Sequence, residues 1–372
     1  MQKVFFVLAC LSYAGDGRRT QSLHQRLPSS PVAERHIPLK QVSGTALARL
    51  FLACSPAAAL TSSSQGISKL TRRKFAATAS LFPLAAQANV LTKAEPFTKQ
   101  PGFALNTGTN FPTASFGLQI YDDNEAEKLT TVALEAGFRN FFASVLARNQ
   151  KGFARAIKKS GIPREELFIC GSVLSNRANG FDNAFKLSEK GCQENMEAFS
   201  VGGIDYIDMI MLDYPGPDDA SIRGQWKALE EMKAAKLTRS LAVSNYNPQQ
   251  LDALLAEKGA TVPTVNQLPY GVGFNQFYNG NAAKVIEENR KRGILVQAWS
   301  PLGRALRGTR KDACAEVGKK YGKSAAQVAL RWIADTGCTF TTQTKTKSHF
   351  EEDINIFDFK LTKDEIDMLA TL

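Results

Sequence analysis

Histidine is scarce in this chain: three residues in 372, of which His24 and His36 fall near the N-terminus, leaving only His349 beyond residue 88. A metal centre built from histidines is therefore excluded, and a solitary His349 reads as a surface residue rather than a ligand or base. Cysteine is thin as well. Cys10 and Cys54 lie early, while Cys170, Cys192, Cys314 and Cys338 are widely spaced with no C-x-x-C among them. No zinc site is expected; buried thiols are, with one disulfide open if the compartment is oxidising. No segment reaches the roughly 18 apolar residues of a membrane helix, so no transmembrane helix is expected in the mature chain. No Gly-x-Gly-x-x-Gly follows the first strand-like run, which disfavours an open doubly wound dinucleotide fold.

Acidic residues are missing from one end. The formal net charge of +11 suggests an anionic partner at first sight, but residues 1–88 hold eleven Lys or Arg against only Asp16 and Glu34, a net +9. The remaining 35 bases and 33 acids leave residues 89–372 at +2, with both signs interspersed as in an ordinary soluble domain. The basic excess belongs to a leader, and nucleic acid drops out as a partner. That leader has three parts. Lys3, the apolar stretch Val4-Phe5-Phe6-Val7-Leu8-Ala9-Cys10-Leu11 and Ser12-Tyr13-Ala14 have the layout of a secretory signal. Residues 15–70, rich in Ser, Ala, Leu and Arg, have transit-peptide composition. Thr71-Arg72-Arg73-Lys74-Phe75, a modest apolar run and Ala86-Gln87-Ala88 match a twin-arginine export signal with its cleavage site. In series they resemble the address of a thylakoid-lumen protein in an alga with a secondary plastid, so residues 1–88 are expected to be a disordered targeting leader.

Beyond it the chain repeats one unit, a short β-rich run followed by an amphipathic helical stretch. Apolar runs fall at 114–119, 138–144, 167–173, 206–212, 240–244, 264–268, 294–299 and 339–344, with helical patterns such as 125–136, 226–235, 282–292 and 324–334 between them. Asn247-Pro248 and Pro163 are placed as helix starts. Eight alternating units in residues 89–372 predict a closed (β/α)8 TIM barrel, in which chemistry sits at the C-terminal strand ends.

Eight ordered motifs carry a family likeness: Gly137-Phe138-Arg139, Gly161-Ile162-Pro163-Arg164-Glu165-Glu166-Leu167-Phe168-Ile169, Asp205-Tyr206-Ile207-Asp208, Val243-Ser244-Asn245-Tyr246-Asn247-Pro248, Val265-Asn266-Gln267, Trp299-Ser300-Pro301-Leu302-Gly303, Ala326-Gln327-Val328-Ala329-Leu330-Arg331-Trp332 and Asn355-Ile356-Phe357-Asp358-Phe359. From about residue 103 onward the chain resembles the aldo-keto reductases. The resemblance implies a TIM barrel using NADPH to reduce aldehydes and ketones, with an Asp, Tyr, Lys and His tetrad at the strand ends. The tetrad is degenerate here: Phe142 stands at the Asp position, Ala147 at the Tyr, Ser172 at the Lys and Asp213 at the His.

Those replacements remove the reaction rather than tune it. Hydride arriving at a carbonyl carbon leaves negative charge on oxygen, which needs a proton donor and positive or hydrogen-bonding neighbours. Ala147 has no proton to give, Ser172 no charge, and an ionised Asp213 repels the oxyanion. Losing the acid costs about 10²- to 10⁴-fold, and losing an oxyanion donor about 10²- to 10³-fold. A substitute acid would have to come from Tyr121, Tyr214 or Tyr270.

The cofactor groove is half preserved. The resemblance matches Ser244, Asn245 and Gln267 to residues that hold the nicotinamide carboxamide, Trp299 to the stacking aromatic, and Ser300-Pro301-Leu302-Gly303 to the pyrophosphate turn. The same Ser and Asn also read as a helix cap, and the Gln as a satisfier of backbone groups. On the adenosine side Gln343, His349 and Asp353 replace the family's Lys, Arg and Asn, so the charge that selects NADPH is missing, with Lys345 and Lys347 as partial compensation. Gly117-Leu118 replaces a first-strand Gly-Thr. The segment around 176–185 is longer by roughly eight residues than in the family and is expected to form a new loop at the active face. The chain stops at Leu372, where a substrate-walling C-terminal loop is expected to be absent. Together these features predict a pseudoenzyme: a structural or binding protein without a metal, with no cofactor or weak NADP(H), and with a protein partner in a thylakoid complex. The alternative is an NADP-dependent oxidoreductase with an altered active site; a nucleotide sensor is a third reading.

Overall fold

A computed structural model of the chain describes residues 100–372. The targeting leader expected for residues 1–88 lies outside the described residues. The first described element, absent from the sequence expectation, is an antiparallel hairpin of β1 (Gly102–Ala104) and β2 (Asn110–Pro112). Eight strands then alternate with helices: β3 (Ala114–Gly117), β4 (Asn140–Phe142), β5 (Phe168–Val173), β6 (Ile207–Leu212), β7 (Thr238–Ser244), β8 (Val265–Pro269), β9 (Leu295–Trp299) and β10 (Thr339–Thr342). Each pairs in parallel with its neighbours, and β10 closes on β3, so the sheet is a complete eight-stranded barrel. All eight apolar runs become barrel strands within two residues at either end.

Among the described residues ten helices surround the barrel: α1 (Asp123–Ala136), α2 (Gln150–Ser160), α3 (Phe181–Ser200), α4 (Asp219–Ala234), α5 (Pro248–Leu255), α6 (Ala282–Lys291), α7 (Gly308–Tyr321), α8 (Ala325–Asp335), α9 (Lys347–Ile354) and α10 (Lys363–Ala370). Local chemistry sets several starts. Asn247 caps α5 in a reciprocal capping box with Gln250, and Pro248 fills the first turn. Ser324 and Gln327 do the same for α8. Two expectations need correction. Pro163 opens only a three-residue 3-10 turn, Arg164–Glu166, because the chain must enter β5 directly after it. The longer segment around 176–185 is a loop only in part: residues 174–180 are irregular, and from Phe181 onward the chain is helical, in the 20-residue α3, with Phe181 and Phe185 stacked 6.4 Å apart on its first turn.

Alternation along the strands divides the core in two. Phe168 and Cys170 of β5, Met209 and Met211 of β6, Ala242 of β7 and Val265 of β8 point into the barrel, where they pack with Phe142 and with Leu105 and Phe111 from the hairpin. Ile169, Ile210, Leu212, Leu241 and Val243 point outward and join the much larger layer beneath the helices. The hairpin seals the floor. Phe111 meets Phe168 edge to face at 4.8 Å, and Asn106 bridges the Pro263 and Gly293 carbonyls at the starts of neighbouring strands. Nearby, buried Asp208 accepts from Arg164 at 2.6 Å and Arg239 at 3.3 Å, while both guanidinium groups sit 4.2 Å from the Tyr206 ring. The open end is therefore the opposite one, where the strands finish.

Candidate functional site at the barrel mouth

The same alternation fixes what faces the mouth. Ser172 repeats the inward parity of Phe168 and Cys170, and Asp213, one step past β6, repeats that of Met209 and Met211. Ser244 follows Ala242, and Gln267 follows Val265. On β9, Gln297 and Trp299 share the parity of Leu295. One end of the barrel thus gathers the tetrad-position residues of β4, β5 and β6 and the groove residues of β7, β8 and β9.

At the tetrad positions, Phe142 is part of the interior packing, only 2% exposed. Ala147 lies half-buried in the turn 145–148. Ser172 is fully buried; its hydroxyl accepts from the Val145 N–H at 3.2 Å and lies close enough to the Asp213 carboxyl to hold its pKa down. Two replaced positions are therefore neighbours. Burial pushes the Asp213 carboxyl up to about 7, partly offset by the Ser172 hydrogen bond. Both protonation states are populated near neutral pH, which corrects the expectation of a simply ionised Asp213. Its Oδ2 is buried with no hydrogen-bond partner. Beneath it the Cys170 thiol is held neutral, first by burial and then by the negative potentials of Asp213 and Asp208.

The groove residues form one continuous network. Asn245 sits in the left-handed region at φ 65° and donates to the Asp213 carbonyl at 3.2 Å and the Ser244 hydroxyl at 2.9 Å. Its Oδ1 receives the Trp299 indole N–H at 3.1 Å. Ser244 donates to the Gln267 carbonyl at 3.2 Å, and Gln267 Nε2 donates to Gln297 Oε1 at 2.8 Å. The amide donors matched to a nicotinamide carboxamide are thus engaged inside the protein. The turn after β9 keeps an unusual backbone. Ser300 is left-handed at φ 55°, its carbonyl accepts from Gly303, and Leu302 is buried beneath. Gly271 lies so close to it that a Cβ there would meet the Pro301 carbonyl at 2.5 Å.

On the adenosine side Gln343 donates to Gln119 at 2.5 Å, tying the end of β10 to the loop after β3. His349, expected at the surface, is half-buried and bonds Thr344 at 3.1 Å. Asp353 is only 1% exposed. Lys345 is drawn into an ion pair with Glu125 at 2.6 Å, so it does not stand in for the lost cation; Lys347 begins α9 and is exposed. Of the three candidate tyrosine acids, Tyr121 and Tyr270 are excluded. Both are buried, burial raises both phenols well above their ordinary value, and Tyr270 spends its hydroxyl on Thr336. Tyr214 remains half-buried beside Asp213. Among the described residues no cluster could hold a metal ion, and Cys170, Cys192, Cys314 and Cys338 are all free thiols. Sequence reasoning missed the Gln297 and Gln119 links; strand parity with Trp299 would have exposed the first.

A closed parallel barrel with a polar network at its C-terminal rim defines a (β/α)8 protein with its site at the mouth. The Aldo/keto reductase family profile matches residues 110–372, and the chain belongs to that family. An aldo-keto reductase of Mycolicibacterium vanbaalenii is 29% identical over 272 residues, covering 73% of this chain and 92% of that protein. The crystal structure of an aldo/keto reductase from Brucella melitensis superposes with a TM-score of 0.63 at 27% identity, covering 73% of this chain and 99% of the other. A Bombyx mori aldo-keto reductase, solved in complex with NADP, shares the fold at a TM-score of 0.63 and 23% identity, over 73% of this chain and 92% of its own.

Proposed function

We propose that this chain is a pseudoenzyme of the aldo/keto reductase family, a binding or structural protein rather than a reductase. The observation that carries the reading is the fully buried Ser172 hydroxyl at the rim, which accepts from the Val145 N–H at 3.2 Å. A position that must present a cation to activate a phenol presents a buried hydroxyl instead, close to an acid, and Ala147 offers no phenol to activate. The leader adds the setting: the plastid thylakoid lumen, with attachment to a membrane-embedded photosynthetic complex. Export of an already folded barrel by a twin-arginine route suits a protein of this size, and a lumenal protein has little free NADPH to draw on.

NADP(H) binding, if retained, is weak. A Bombyx mori relative holds NADP, and here the left-handed Asn245 and Ser300 preserve the shape of the cofactor turns while Gln343 and Lys345 withhold charge. One observation favours the second reading, an NADP-dependent oxidoreductase with an altered active site: Asp213 retains its proton up to about pH 7 and is therefore an acid at the right rim. Titration of the protein with NADPH, following tryptophan fluorescence, and a turnover assay on a panel of aldehydes separate the two. Millimolar or weaker binding with no turnover is expected. Turnover of any aldehyde refutes the pseudoenzyme, and micromolar affinity refutes a purely structural role. Fusing residues 1–88 to a fluorescent protein tests the address; a cytosolic signal would remove the lumenal setting.

A further inference from the structure

The inside of the barrel is apolar on one side and polar on the other. β5 to β8 turn Phe168, Cys170, Met209, Met211, Ala242 and Val265 inward. The two strands that close the barrel differ. Ala114, Phe116 and Phe340 join the outer layer, so alternation turns Ser115 and Gly117 of β3 and Thr339 and Thr341 of β10 to the interior. In register, Thr341 stands beside Ser115, and Thr339 stands beside Gln297, which is inward on β9. Three hydroxyls on this seam are orphans: Ser115 Oγ, Thr339 Oγ1 and Thr341 Oγ1 are buried without a hydrogen-bond partner in the chain, on residues 1%, 0% and 3% exposed. Inward amides on other strands are engaged, Asn140 with the Pro112 carbonyl at 2.9 Å and Gln267 with Gln297 at 2.8 Å.

A buried polar atom left without a partner disfavours the folded state, and native proteins satisfy nearly all of them with protein groups or ordered water. Three orphans on two adjacent strands therefore mark a place where something outside the chain completes the bonding. A hydroxyl both donates and accepts, so the seam suits a small neutral molecule with the same double capacity. Its mouth end is covered. A Cβ on Gly117 would lie 2.7 Å from Thr341 Oγ1 and 2.5 Å from Gln119 Oε1, so the Gln119 side chain folds back across Gly117 beside Thr341. Gln343 donates to the same Gln119 oxygen at 2.5 Å and holds it there. A covered seam lined by hydroxyls, where the barrel closes, has the chemistry of an internal water site.

We propose that the β3–β10 seam binds about two ordered water molecules inside the barrel. One bridges Ser115 and Thr341; the other joins Thr339 to the Gln297 side chain and to the first water. Each then makes about three hydrogen bonds, the usual number for a buried water. The Gln119–Gln343 amide pair is the cover that sets how fast they exchange with solvent. The site is independent of the pseudoenzyme reading, because it lies in the wall beneath the rim and not among the groups that would meet a carbonyl.

Magnetic relaxation dispersion of the water oxygen nucleus, which counts waters held longer than the protein takes to tumble, tests it on the full chain. Ser115→Ala with Thr341→Val should lower the count of long-lived waters by about two, and an unchanged count overturns the proposal. Gln119→Ala should keep the count and shorten the residence time several-fold; an unchanged residence time overturns the role given to the cover. Thr341→Val alone exchanges a hydroxyl for a methyl of the same shape, so thermal denaturation reads a sign. A lower Tm is expected, because a water bond is lost, whereas a higher Tm is the result for a hydroxyl that bonded nothing and overturns the site. A crystal structure of the unaltered protein decides without any variant. Water within hydrogen-bond distance of both Ser115 Oγ and Thr341 Oγ1 is expected; a direct bond between those two hydroxyls, with no water between them, overturns the proposal.

Discussion

Replacing Asp213 with Asn preserves the outline of the side chain and the oxygen that Ser172 contacts, while abolishing ionisation. Burial lifts the carboxyl from an ordinary 3.8 to about 7. That is roughly three pKa units, each worth about 1.36 kcal/mol, so ionising Asp213 disfavours the folded barrel by about 4 kcal/mol. Between pH 3.8 and 7 the folded chain keeps a proton that the unfolded chain has released. Stability contributed by the neutral acid is therefore full below pH 3.8, falls as pH rises through that window, and is gone above about 7. Asp213→Asn has no such dependence. The two proteins should be of similar stability near pH 4.5, and the variant should gain about 3 kcal/mol by pH 8, a rise in Tm on the order of 5–10 °C. Urea denaturation of both proteins at pH 4.5, 6 and 8, followed by tryptophan fluorescence, measures it. Only the difference between variant and parent is read, because other groups titrate equally in both. A difference that stays within 1 kcal/mol across the pH series would refute the reasoning, since a carboxyl that ionises without penalty is not desolvated.

Other perturbations probe the scaffold. Asp208→Ala strips Arg164, Arg239 and the Ile169 N–H of a shared buried acceptor and should cost about 3–5 kcal/mol in chemical denaturation. Gly152→Ala should destabilise by about 1–3 kcal/mol or more, because a Cβ would lie 1.8 Å from the Asp123 carbonyl where α1 and α2 meet. With Cys10 and Cys54 replaced by Ser, the four remaining thiols should resist Ellman's reagent in the native protein and react fully in denaturant; burial removes access and pushes Cys192, Cys314 and Cys338 up to about 12.

The barrel was legible because its strands are buried on both faces and therefore read as short apolar runs separated by amphipathic helices. The floor hairpin was not. At three residues each, β1 and β2 are too short to show a period, and only Phe111 among them is committed to the interior. The replaced tetrad positions were legible one at a time from the order of motifs, since each sits at a fixed offset from a strand. Their pairing was hidden. Ser172 and Asp213 are 41 positions apart in sequence and meet only because β5 and β6 lie side by side with Val173 opposite Leu212. The state of Asp213 was misread for the same reason: sequence gives the acid, whereas burial and the absence of a cation decide whether it keeps its proton.

That pairing changes what a restoration experiment must contain. Ala147→Tyr with Ser172→Lys returns a phenol and an ammonium, the pair needed to make a proton donor at a carbonyl oxygen. In this barrel, however, position 172 lies beside Asp213 across β5 and β6, so an ammonium introduced there finds a buried carboxylate at short range. Pairing draws the Asp213 pKa below its present value near 7, consumes the added charge, and leaves the phenol unactivated. The double variant should therefore fold, as checked by circular dichroism, and show no aldehyde turnover. Adding Asp213→His removes the competing carboxylate and supplies a donor toward the carbonyl; Phe142→Asp then returns the remaining position. If the double variant alone reduced aldehydes with NADPH, the Ser172–Asp213 contact would not be what separates this rim from a catalytic one. If the quadruple variant also stays silent, the fault lies in the groove, where Asn245 and Gln267 already hold Trp299 and Gln297 and must release them before a carboxamide can enter.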